Sequence, residues 1–136
     1  HFEEIDLCWR AFNAGFKTKY VGTSTVYHVG GATLNAVNPQ KTYLNFRNSL
    51  FTITKNVNGI LFKIILMRLI LDGIASLRFL INFKFDHFMA ILKAHFSFYA
   101  HLPQLLKARK QLPKKKGYYT IYSIVWLYFA KKKLTF

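Results

Sequence analysis

The spacing of apolar positions changes along this chain, and the changes divide it into elements. In residues 3–14, Ile5, Cys8, Trp9 and Phe12 recur at helical spacing, which predicts a helix with those side chains toward a core. Gly15 suits the position just past its end, where glycine accepts a left-handed backbone. Residues 16–21 (Phe-Lys-Thr-Lys-Tyr-Val) alternate, and residues 24–29 (Ser-Thr-Val-Tyr-His-Val) are rich in β-formers. With Gly22 between them, they predict two short strands. Gly30-Gly31 then open a loop that runs to Pro39.

Beyond the loop the spacing is helical. Residues 41–55 carry Tyr43, Phe46, Leu50 and Ile53 on one side, with Arg47 at the margin. Residues 60–83 predict one very apolar helix, or two joined at Gly73, in which Arg68 and Asp72 stand four apart and can pair. In residues 86–102, Asp86, Ala90, Lys93, Ser97, His101 and Gln104 fall in one arc, with Phe88, Ile91, Leu92, His95, Phe96 and Tyr99 around the rest. Pro103 is expected to kink or restart this helix. Lys107–Lys116 reads as a basic connector, and residues 118–130 as a last aromatic helix or strand. A helix and two short strands followed by a mostly α-helical tail is an α/β arrangement. The division falls at residue 55, giving segments 1–55 and 56–136.

Charge sharpens that division. The chain carries a net +15, and residues 55–136 hold fifteen Lys/Arg against two acids. So basic a half calls for an anionic partner. Lysines and arginines flanking apolar helices suit a membrane surface. Single-stranded nucleic acid and a merely charged helical face are the other readings. Leu/Ile runs in residues 57–83 favour the membrane and argue against nucleic acid. No stretch is a clean membrane span, because Lys63, Arg68, Asp72 and Arg78 interrupt the best candidate. Cys8 is the only cysteine, so no internal disulfide exists.

Three of the five acidic residues cluster at Glu3, Glu4 and Asp6. A carboxylate at a helix start stays ionised and can act as a general base. Acids in a first turn also stabilise any helix. His28, before two glycines, can offer an imidazole to a metal or phosphate, or be an ordinary half-buried histidine. Arg47 can grip a diphosphate through forked hydrogen bonds, or serve as a solvated or capping residue. No Cys/His zinc spacing, phosphate-binding glycine loop or serine nucleophile elbow is present.

In order and spacing, Phe2-Glu3-Glu4-Ile5-Asp6-Leu7-Cys8-Trp9-Arg10, Ala14-Gly15-Phe16-Lys17, Val26–Leu34 and Lys41–Asn48 resemble the C-terminal part of bacterial family 2 glycosyltransferases. The resemblance covers roughly residues 2–50. It implies a Rossmann-like nucleotide-sugar fold in the intact enzyme, with its nucleotide-binding half upstream of His1. The second acid of the pair is the usual base in that family, which points to Glu4. An Asp is more frequent there, so Glu sets the base one methylene further out. Glu3 and Asp6 are the supporting acids. His28 corresponds to a ligand of the divalent metal, Mg or Mn, on the donor diphosphate, with the remaining ligands supplied from upstream.

The implied reaction is inverting transfer of a sugar from a nucleotide-diphospho-sugar to an acceptor hydroxyl. Arg47 and the metal would steady the leaving diphosphate. The acceptor would be lipid-linked or a saccharide, in surface polysaccharide or glycolipid synthesis. The expected setting is the cytoplasmic face of the bacterial inner membrane, with no nucleic-acid partner, and this fragment is expected to be inactive alone. The rival reading is a non-catalytic basic module that binds membrane surfaces.

Overall fold

The computed structural model describes residues 2–25, 27 and 38–119. They form four helices: α1 (Glu3–Asn13), α2 (Pro39–Asn56), α3 (Leu61–Ile81) and α4 (Phe85–Gln111). Among the described residues there is no strand, so the expected α/β, Rossmann-like arrangement is replaced by a helical bundle. Residues 16–21 leave α1 as irregular chain, with Phe16, Tyr20 and Val21 exposed. The alternation is present in the sequence, but a strand needs a neighbour for its backbone groups, and among the described residues these find none. Ser24, Thr25 and Tyr27 are not strand either; Val26, His28 and Val29 lie outside the described residues.

Local chemistry sets the helix ends. Ala14 caps α1 and Gly15 follows at φ 92°, its N–H bonding to the Phe12 carbonyl at 2.9 Å and that of Phe16 to Ala11 at 2.9 Å. That pairing closes a helix through a left-handed residue. The same device ends α3, but with Phe83 at φ 57° in the glycine position. α2 begins earlier than its apolar spacing indicates. Asn38 caps it, its Oδ1 accepting from the Gln40 N–H at 2.8 Å, and Pro39 occupies the first turn, where its missing N–H costs nothing.

α3 runs unbroken through Gly73. α4 runs unbroken through Pro103 and takes in residues 107–111, which read as connector in the sequence. The proline frees the carbonyl of Tyr99, a residue 52% exposed, so water can satisfy the lost partner.

The core is a seam between α2 and α4. Leu50, Phe98 and Leu105 are buried there, with Phe51, Ile65, Leu69 and Leu102 packed around them. Thr42 pairs with His87 and Arg109 with Thr54, so α2 and α4 run parallel. α3 runs the opposite way beside α4, matching Phe79 to His87 and Asp72 to His95. On α4 the buried stripe is His87, Ala90, Ile91, Ala94, Phe98 and Leu105. Ala90, expected on the polar arc, faces inward, while Phe96, expected with the apolar residues, is exposed.

Candidate functional site

The acidic helix α1 docks at the C-terminal end of α2. Its anchor is Asp6. Lys55 Nζ lies 2.9 Å from Asp6 Oδ1, the Asn56 amide donates to the same oxygen at 2.7 Å, and Arg10 Nε donates to Oδ2 at 3.0 Å. Burial pushes the Asp6 carboxyl up, but the hydrogen bonds from Lys55 and Asn56 and the charges of Lys55 and Arg10 outweigh it. The net result is a carboxyl held below its ordinary range. Asn13 completes the dock by donating to the Asn56 carbonyl at 3.0 Å and accepting from the Lys115 N–H at 3.1 Å.

The far end of α4 closes the same junction. Arg109 Nη1 donates to the carbonyls of Thr54 at 3.0 Å and Val57 at 2.7 Å, satisfying groups that the end of α2 would otherwise leave open. Trp9, 3% exposed, stacks on Tyr118 with ring centroids 4.7 Å apart, and Tyr119 meets it edge-on at 5.1 Å.

The junction sorts the acids. Asp6 is spent as a clamp. Glu4 is exposed on the same helix, and Glu3 is exposed beside it. Glu4 and Cys8 share one side of α1, being four apart. Cys8 lines a cavity of about 770 Å³ with Phe12, Lys17, Lys19, Lys115 and Tyr118. Three lysines beside aromatic rings form a setting for an anionic group.

Arg47 is elsewhere. It lies about 12 Å back along α2 from Lys55, at about 1.5 Å per residue. Its Nε donates to Asn48 Oδ1 at 2.9 Å and its Nη1 to the Tyr43 hydroxyl at 3.2 Å. The guanidinium also lies over the rings of Tyr43 and Phe51, at 5.1 and 5.6 Å. A hydrogen bond with Ser97 and the Arg47 charge hold the Tyr43 hydroxyl below its ordinary range, against the effect of burial. Arg47 therefore does not join the acids of α1. His28 lies outside the described residues. Among the described residues, no group of three or more His, Cys, Asp or Glu is placed to hold a metal ion.

Sequence spacing did not reveal Asn13, Lys55, Asn56 and Arg109, which build the junction. Asn56 marks a helix end, but its partner Asp6 lies 50 residues away, and Arg109 lies 55 residues from Thr54. No local pattern carries such pairings. No protein-family model, curated protein or solved structure matches this chain.

Proposed function

We propose that this chain carries the acceptor-activating end of an inverting glycosyltransferase, which moves a sugar from a nucleotide-diphospho-sugar to the hydroxyl of a lipid-linked or saccharide acceptor. The observation that carries the reading is the division of labour on α1. A general base must be ionised, exposed to its substrate and fixed in position. Asp6 fixes the helix to the end of α2 through Lys55 and Asn56, and Glu4 is exposed on that fixed helix. The order of motifs around Glu4, which resembles family 2 glycosyltransferases, supports the same reading. So does the lysine-lined cavity on the Glu4 side of α1, which suits a phosphate-bearing substrate.

In this mechanism a Glu4 carboxylate oxygen takes the proton of the acceptor hydroxyl. The acceptor oxygen forms its bond to the anomeric carbon as the bond from that carbon to the diphosphate breaks, and the electron pair leaves with the diphosphate. Arg47 is bonded to Tyr43 and Asn48 on α2, and its proposed part is to steady the leaving diphosphate.

The test is sugar transfer by the natural protein that contains these residues. Glu4→Gln is expected to lower kcat by roughly 10²–10⁴-fold, the usual yield of general-base catalysis, with donor affinity unchanged. Wild-type turnover in that variant overturns the assignment.

A further inference from the structure

α3 is inverted relative to its neighbours. Two of its polar residues point inward: Asp72 is 2% exposed and Ser76 9%. Arg68 Nε stands 2.8 Å from Asp72 Oδ1, and His95 Nε2 of α4 stands 3.2 Å from Asp72 Oδ2. The outer face is apolar. Phe62, Leu66, Ile70, Ile74, Leu77 and Ile81 form one stripe along the whole helix, each between 46% and 76% exposed. Soluble monomers seldom leave a continuous apolar patch larger than roughly a few hundred Å² in water. A stripe of this length therefore implies an occupant.

Charge selects the occupant. Lys63 is exposed at one end of α3, and Arg78 and Lys84 at the other. The only acid between residues 57 and 85 is Asp72, which is buried on the opposite side. The outer face thus presents apolar surface with positive charge at both ends. A second copy of a chain with net charge +15 would bring like charges together. Nucleic acid would set its phosphates against leucine and isoleucine. An anionic bilayer satisfies both features: the stripe enters the boundary between headgroups and acyl chains while the cations reach the phosphates. No described helix is long and apolar enough to cross a membrane.

We propose that α3 lies flat on an anionic lipid surface, with the Phe62–Ile81 stripe sunk into it and Lys63, Arg78 and Lys84 on the headgroups. Asp72, held by Arg68 and His95, fixes the polar side of α3 toward α4 and so keeps the stripe outward. The inference rests on α3 alone and does not depend on the glycosyl-transfer reading.

Co-flotation of the full chain with vesicles tests it. The chain is expected to bind phosphatidylcholine vesicles containing phosphatidylglycerol, at least ~10-fold more weakly to phosphatidylcholine alone, and more weakly as salt rises. Replacing both Ile70 and Ile74 with Asp should cost at least ~10-fold in binding, with the circular dichroism unchanged because both side chains face outward. A charge variant, Lys63→Gln with Arg78→Gln, leaves the stripe intact and should lose the preference for phosphatidylglycerol. Glu4→Gln should bind like the wild type, which separates this surface from the proposed catalytic one. Equal binding by the Ile70/Ile74 variant overturns the proposal, as does absence of binding to either vesicle. A concentration-dependent dimer abolished by the same variant would assign the stripe to a second copy and also overturn it.

Discussion

α3 and α4 lie side by side yet solve opposite problems. α4 turns Ile91, Ala94, Phe98 and Leu105 into the seam with α2 and leaves Lys93 and His101 in water. α3 turns Arg68 and Asp72 toward the bundle with Ile65 and Leu69, and leaves most of its other leucines and isoleucines outside. Burial of apolar surface is the driving force for α4. For α3 in water that force is largely unspent, and its orientation is set by a buried carboxylate with its two partners. One helix is therefore placed by area and the other by electrostatics, and the two should fail in different ways.

The largest difference should appear on truncation. Phe98→Ala removes a ring from the closed seam and is expected to cost roughly 3–5 kcal/mol in urea unfolding, whereas Ile70→Ser on the outer face of α3 should stay within about 0.5 kcal/mol. Similar losses at the two positions would show that α3 is placed by area after all. Asp72→Ala comes next. Leaving Arg68 and His95 without their carboxylate is expected to cost about 3 kcal/mol, with the loss felt at the α3–α4 contact, as amide hydrogen exchange in α3 would report.

A smaller loss than that of Asp72→Ala belongs to the α1 junction. Asp6→Asn is expected to cost about 1.5 kcal/mol at neutral pH, the scale of a hydrogen bond to a charged group. Its pH signature is more specific. The folded Asp6 carboxyl titrates below its unfolded value. Its contribution is therefore complete above the unfolded pKa and disappears as pH falls through the lower, folded one. Unfolding followed across the acid range should show a wild-type decline that the variant lacks. An identical acid limb in both would remove Asp6 as the clamp.

What the sequence makes legible follows the range of each interaction. Gly15 announces the end of α1, and Arg68 and Asp72 announce their pair, because each is settled within a turn of helix. Residues 16–21 mislead because alternation specifies a face but not a partner strand. α3 is ambiguous for a related reason: leucines and isoleucines all round it leave the apolar spacing with no preferred side. The choice passes to Asp72, whose partner His95 lies 23 residues on. In the candidate site, the acids of α1 are visible at once. Their separation into a clamped Asp6 and an exposed Glu4 is not, because Lys55 and Asn56 decide it from the end of another helix.

The junction also has a history in time. α1 is made before the other described helices, yet it is seated in two instalments. Lys55 and Asn56 reach Asp6 once α2 exists, but the Lys115 N–H that Asn13 accepts lies 102 residues further on, and Tyr118 follows it. At synthesis rates of about 5–20 residues per second, Trp9 waits roughly 5–20 s before its stacking partner is made. During that interval a large aromatic side chain and half of a polar clamp stand uncovered on α1. Of the four described helices, the one made first waits longest for its partners.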